Sequence, residues 1–250
     1  PTQVSAEEWN TLGYDWVGLS SVVDKLVVPA SLDPRAYRAD GEMAALLSWA
    51  TEMVERRKLQ IELPTQSVET VGNYLFAKGY KEALQPLLQE IDAETANGQE
   101  VSLTADNPRL ASRLTKDDST GAYFYTYTDD QGAQRTVYLE DASSVSYKLN
   151  LLRKYNLVDV ALQTPASGDI DPNIWSVLLQ FQTGVALATT YDPVAVAYTV
   201  YDADNNVVTN NTRPLTDPRL TFSSPIEVAK LRVEAQLVGS RGEALSELLS

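Results

Sequence analysis

Acid–base chemistry in this chain falls to Asp, Glu, Tyr or Lys alone, because its 250 residues include no histidine and no cysteine. That composition excludes Ser-His-Asp and Cys-His nucleophile activation, disulfides, Cys-bound zinc and iron–sulfur clusters, and the usual transition-metal sites. The acidic groupings that remain are Asp117-Asp118, Asp129-Asp130, Glu140-Asp141 and Asp202-Ala203-Asp204. The run Asp202-Ala203-Asp204-Asn205-Asn206 opens like a calcium loop. It lacks the glycine and terminal glutamate of an EF-hand and reads as a turn. Glu140-Asp141 precedes an amphipathic run and reads as a helix cap. No metal site and no cofactor is expected.

Tyr123, Tyr125 and Tyr127 alternate along one strand and so share a face. Such a face serves either as a stacking platform for a glycan or as cross-strand packing against Val137, Tyr138 and Leu139, and packing is the simpler reading. Lys148 and Lys154, on the helix after the cap, read as solvated. Trp16, Trp49 and Trp175 read as core anchors. Trp9, in a polar context, reads as exposed.

The elements that must position these residues follow from periodicity. Leu26–Val28 is a short apolar run closed by Pro29, hence a buried parallel strand, and Leu59–Leu63 is the next strand, ended by Pro64. Between them Met43, Leu46, Leu47, Ala50, Met53 and Val54 recur at helical spacing, and Arg56-Arg57-Lys58 close the helix against its dipole. Residues 68–94 read as further helix, with Leu84, Leu87, Leu88 and Ile91 as its stripe. Asn97-Gly98 reads as a turn, and 101–113 as ambiguous. Ala122–Thr128 and Arg135–Leu139 pair as a hairpin. Asp141 or Ser143 caps a helix to about Tyr155. A strand over Leu157–Leu162 and a short helix over Pro172–Phe181 follow.

From Thr183 the pattern changes to alternation. Strands are expected over Val194–Tyr201, from Val207, over Arg219–Phe222 and over Lys230–Val238, and helix over Glu243–Ser250. The expected division is an α/β domain over 1–182 and a small all-β, immunoglobulin- or fibronectin-like sandwich over 183–250.

A net charge of −14 argues against nucleic acid and anionic lipid as partners. No apolar run approaches the roughly 20 residues of a membrane span. The chain opens at Pro1 without a methionine, which suggests a mature or truncated piece of a longer protein.

Residues 14–181 resemble the last part of a family-18 glycoside hydrolase, a chitinase-type barrel. Val23-Asp24-Lys25-Leu26-Val27-Val28-Pro29-Ala30-Ser31-Leu32 resembles its sixth strand. Leu47-Ser48-Trp49-Ala50 and Lys58-Leu59-Gln60-Ile61-Glu62-Leu63-Pro64 resemble the helix and seventh strand that follow. The hairpin turning at Asp130-Gln131-Gly132, the Glu140-Asp141-Ala142 cap with a following lysine, and the final strand come in family order. The implied fold is α/β, a partial or degenerate TIM-barrel-like frame of parallel strands and helices with an inserted α+β hairpin region, followed by the immunoglobulin-like sandwich.

The resemblance implies a substrate-assisted retaining mechanism, with a glutamate at the end of a D-x-x-D-x-D-x-E strand as acid. That motif does not occur here. The family's sixth-strand Tyr and Asp fall at Ser31 and Leu32, and its floor tryptophan falls at Gln163. The expected function is therefore a non-catalytic, secreted or cell-surface module of a bacterial envelope, binding a glycan (peptidoglycan or chitin-like) or serving as a scaffold. Tyr123, Tyr125, Tyr127 and Gln163 are the candidate ligand-binding residues. A protein partner, or self-association completing the barrel, is a further expected partner. The alternatives are a glycosidase on N-acetylglucosamine polymers with its acid elsewhere, and a structural subunit of an extracellular assembly.

Overall fold

The structure, a computed structural model, describes residues 1–5, 8–96, 100–163, 168–188, 191, 194–224 and 230–250. In chain order the elements are β1 (Thr2–Gln3), β2 (Trp9–Asn10), α1 (Trp16–Val22), β3 (Leu26–Pro29), α2 (Glu42–Met53), β4 (Leu59–Pro64), β5 (Ser67–Val71), β6 (Tyr74–Lys78), α3 (Tyr80–Leu84), β7 (Glu90–Ala96), β8 (Glu100–Asp106), β9 (Leu110–Lys116), β10 (Tyr123–Thr128), β11 (Gln134–Tyr138), α4 (Ala142–Lys154), β12 (Val160–Gln163), α5 (Ile174–Gln182), β13 (Ala195–Tyr201), β14 (Val207–Pro214), β15 (Arg219–Ser223) and β16 (Arg232–Val238).

The expected parallel strands are present. β3 and β12 flank β4 in a three-stranded parallel sheet, with Val28 opposite Ile61 and Leu162 opposite Leu63. Leu59, Ile61 and Leu63 alternate onto one face and are fully buried. They join one core with Met43, Leu46, Leu47 and Ala50 of α2, Val145, Leu149 and Leu152 of α4, and Ile174, Val177 and Phe181 of α5. The opposite face of the sheet carries Gln60 and Glu62 beside Val27 and Ala161. There Lys25 pairs with Asp159, which also accepts from Gln60 at 2.7 Å. Among the described residues no closed barrel forms.

The rest of the sheet structure is antiparallel. A five-stranded sheet runs β6-β5-β11-β10-β9, and its β10–β11 hairpin sets Tyr125 opposite Val137 as the alternation requires. Two three-stranded sheets, β14-β13-β16 and β15-β8-β7, enclose a second core with it. In that core the Ala105 N–H donates to the Tyr198 hydroxyl at 2.7 Å, which itself donates to the Pro218 carbonyl at 2.6 Å. β15 pairs with β8 over Arg219–Ser223. The expected division at 182/183 thus runs through one sheet and one core.

Several elements differ from expectation. Residues 68–94 are not helical throughout: they form β5, β6, the short α3, a 3₁₀ turn over Gln85–Leu87 and β7. Leu84, Leu87 and Leu88 are buried and Ile91 packs against them. Their spacing imitates one helix because three short elements meet the same core. Pro86 removes a helical donor where α3 stops. The ambiguous 101–113 is mostly strand, in β8 and β9, with a turn over 107–109 between them. The segment after Glu243 is extended, bridging Ala244 to Val238 and Leu249 to Ala235. The expected Asn97-Gly98 turn lies outside the described residues.

The tryptophans divide differently too. Trp9 is buried and stacks on Trp49 at 5.9 Å, with Trp16 5.0 Å from the same ring. Trp175 is exposed, because α5 presents Ile174, Val177 and Leu178 inward and leaves Trp175 on its outer side. Met53 is likewise exposed at the end of α2.

Candidate functional site

The C-terminal ends of the three parallel strands converge on one polar cluster. Beyond β3, the Ser31 carbonyl accepts from the Tyr37 hydroxyl at 2.8 Å. Beyond β4, the Thr65 hydroxyl donates to the Gln163 carbonyl at the end of β12, 2.9 Å away. Two residues on, the Ser67 hydroxyl accepts from the Glu140 N–H at 3.0 Å. Glu140 is thereby fixed at this edge, one residue before the cap of α4.

Asp141 is the N-cap of α4, as expected. Its Oδ1 accepts from the N–H groups of Ser143 and Ser144, each at 2.9 Å, while the Ser144 hydroxyl accepts from the Asp141 N–H at 3.0 Å. This reciprocal box satisfies donors that the first turn leaves free. Asp171 adds to it from the loop before α5, accepting from the Ala142 N–H at 2.8 Å.

Lys148 overturns its expected solvated placement. It is buried, 1% exposed, on the same face of α4 as Val145, Leu149 and Leu152. Its ammonium lies 2.6 Å from Glu140 Oε2 and 4.5 Å from the centroid of the Tyr37 ring. The reason is local: a carboxylate already buried at position 140 requires a cation, and the second turn of α4 brings Lys148 within reach.

The electrostatics follow from dehydration. Burial raises the Glu140 carboxyl above its usual range, and Lys148 opposes the rise without cancelling it. Burial pushes Asp141 up to about 8, with the nearby Asp171 and Glu140 carboxylates adding to it against the Ser144 and Ser143 N–H bonds. Asp171 rises for the same main reason. The Tyr37 hydroxyl is raised well above 10, by burial first and then by Glu140. Glu140 Oε1 and Asp141 Oδ2 are buried without a hydrogen-bond partner. Among the described residues no group of three or more acidic side chains is arranged to hold a metal ion.

The tyrosine strand lies elsewhere, on the five-stranded sheet. Tyr123 and Tyr125 are buried and belong to the second core. The Tyr125 hydroxyl donates to the Ala83 carbonyl. Tyr127 is half-buried and donates to Glu69 at 2.7 Å, a carboxylate that also pairs with Arg135. Burial raises both phenols, and Glu69 raises Tyr127 further. Tyr125, Tyr127 and Glu69 line a cleft of about 200 Å³ with Lys78 and Glu82. Gln163 is exposed at the end of β12. The structure thus brings Tyr125 and Tyr127 together, 6.2 Å between ring centroids, and places Gln163 on a different sheet. Glu69 and Asp171 escaped the sequence reading, and Lys148 was read as solvated. Lys148 had a signal: it falls on the apolar stripe of its helix.

A scan against protein-family models returns no match, and a comparison with curated proteins returns none. Comparison with solved structures finds similarity to part of the chain. The C-terminal domain of a putative chitinase from Desulfitobacterium hafniense DCB-2 is 21% identical, covers 68% of this chain and 50% of its own, and has a TM-score of 0.46. A chitinase from Chromobacterium violaceum ATCC 12472 is 20% identical over 68% of this chain and 49% of its own, with a TM-score of 0.43. A family-18 N-acetylglucosaminidase from Paenibacillus barengoltzii is 12% identical over 66% of this chain and 51% of its own, with a TM-score of 0.42. The chain spans about half the length of these structures.

Proposed function

We propose that the chain is a non-catalytic interaction module, secreted or displayed at the cell surface, built on a chitinase-like frame. The observation that carries the reading is the closed edge of the parallel sheet. In barrels of parallel strands the C-terminal edge is where chemistry is done. Here the Tyr37 hydroxyl is held by Ser31, the Thr65 hydroxyl by Gln163 and the Ser67 hydroxyl by Glu140, and Lys148 occupies the Glu140 carboxylate. Glycoside hydrolysis needs a carboxyl group that reaches the glycosidic oxygen. A buried, ion-paired glutamate serves stability instead. The strands β13 to β16 are read as an immunoglobulin-like contact unit that β7 and β8 complete.

Incubation with chitin oligomers and with peptidoglycan tests the proposal, with no released product expected. A second reading, glycan binding, is favoured by the cleft that Tyr127, Glu69 and Lys78 line. On that reading Tyr127→Ala weakens retention on insoluble chitin or peptidoglycan, and unchanged retention removes it.

A further inference from the structure

Strand β6 is the outer strand of the five-stranded sheet, with β5 on its inner side. Its side chains are exposed on both faces: Tyr74 71%, Phe76 46% and Leu75 39%. A hydrophobic strand on a free edge offers its unpaired N–H and C=O groups to another strand. Three other outer strands carry devices against that. β7 bears Glu90, Asp92 and Glu94, β9 bears Arg113 and Lys116, and β14 bears Arg213 and ends at Pro214. Between Tyr74 and Ala77, β6 has neither charge nor proline.

We infer that β6 pairs with β6 of a second copy of this chain, antiparallel about a two-fold axis at Phe76. Two considerations select this occupant. The first is charge. Copies with a net charge of −14 repel wherever acidic surfaces meet, yet from Thr70 to Gly79 the sole charged side chain is Lys78. Two-fold pairing sets each Lys78 opposite the partner copy's Tyr74, so an ammonium meets a phenol ring and no like charges face each other. Lys78 remains neutralised within its own chain by Glu82, 2.7 Å away.

The second is register. β5 and β6 join through Gly72-Asn73, with Val71 opposite Tyr74 and Gly72 at φ +54°. A two-residue hairpin loop makes the flanking pair a hydrogen-bonded one, so pairing toward β5 alternates along the strand and leaves the backbone groups of Leu75 and Ala77 pointing outward. A two-fold axis at Phe76 puts Leu75 opposite the partner copy's Ala77. Among the described residues these are the two positions of β6 with free backbone groups, and the two Phe76 rings face each other in the close, non-bonded pair. The strand is self-complementary in backbone, side chains and charge. The inference rests on the interaction-module reading and names its partner.

Sedimentation velocity across a dilution series of the whole chain tests it. A monomer–dimer equilibrium is expected, lost in Leu75→Lys and Phe76→Lys while the far-UV circular dichroism of the folded chain is retained, since both side chains are partly exposed. A monomer at every concentration overturns it, as does a dimer indifferent to both substitutions. So does an edge that binds an acidic extended peptide while the chain stays monomeric. The chain has no cysteine, so single cysteines report the register. Oxidised Phe76→Cys is expected to form a covalent dimer, and Tyr74→Cys is not. Equal cross-linking from both positions, or none from Phe76→Cys, contradicts the two-fold axis. A monomer that releases no sugar removes the pairing alone. A chain that hydrolyses chitin removes the module reading as well.

Discussion

Glu140 and Lys148 form a buried ion pair, 2.6 Å apart, at the edge of the parallel sheet where Ser67 fixes the Glu140 backbone. Removing one partner of such a pair leaves a dehydrated charge, which costs about 3–5 kcal/mol. Lys148→Met should therefore destabilise the chain by about that much in urea unfolding. The double variant Glu140→Leu/Lys148→Met should regain most of the loss, because apolar side chains of similar volume remove both dehydration penalties. A double variant no more stable than the single one would show that Glu140 makes some other essential contact.

Asp141 gives the chain a pH dependence with a definite sign. Its folded carboxyl is held at about 8, chiefly by burial, and so binds its proton more tightly folded than unfolded. That contribution to stability is complete below the ordinary carboxylate range and fades as pH rises toward 8. Glu140 and Asp171 are shifted the same way. The melting temperature is expected to fall from about pH 5 to about pH 8. Asp141→Asn keeps a capping oxygen and should flatten that fall, being more stable than the native chain at the upper end. A steeper fall in Asp141→Asn would reverse the assignment.

Tyr198 ties the two small antiparallel sheets together through Ala105 and Pro218. Tyr198→Phe leaves a buried N–H without its acceptor and should cost about 1–3 kcal/mol. Because β15 pairs with β8, residues 1–182 expressed alone should lose the cooperative unfolding of the whole chain. Retention of a sharp transition by that fragment would mean the second core does not need β13–β16.

Tyr125 and Tyr127 separate packing from ligand contact. Tyr125 is fully buried, so Tyr125→Ala should cost about 3–5 kcal/mol, in the range of large aromatic truncations. Tyr127→Ala, at a half-buried cleft, should cost less. Comparable losses at the two positions would show Tyr127 to be as much a core residue as Tyr125.

The elements legible in the sequence were those whose local signal matched their tertiary role. Leu26–Val28 read as a buried strand because a continuous apolar run closed by a proline marks one, and Leu59–Leu63 as its neighbour because it follows the helix closed by Arg56-Arg57-Lys58 and ends at Pro64. The Asp-Gln-Gly hairpin and the Asp141 cap read correctly, because turns and caps are set by nearby chemistry. Residues 68–94 did not, since three short elements meeting one core reproduce a helical stripe. Gly72-Asn73 was the turn signal that distinguishes them. β15 was read as a strand, but its partner β8 lies more than a hundred residues away, and no local pattern announces such a pairing. In the site, Asp141 was legible as a cap. The Glu140–Lys148 pair was not, because lysine is rarely buried and only its place on the stripe of Val145, Leu149 and Leu152 argues otherwise.

The most direct measurement is product release from chitin oligosaccharides and peptidoglycan by the purified chain, beside its Glu140→Gln variant. The account predicts no release from either protein, because the carboxyl group at the sheet edge is dehydrated and held by Lys148. Turnover by the native chain that disappears in a folded Glu140→Gln variant would contradict it.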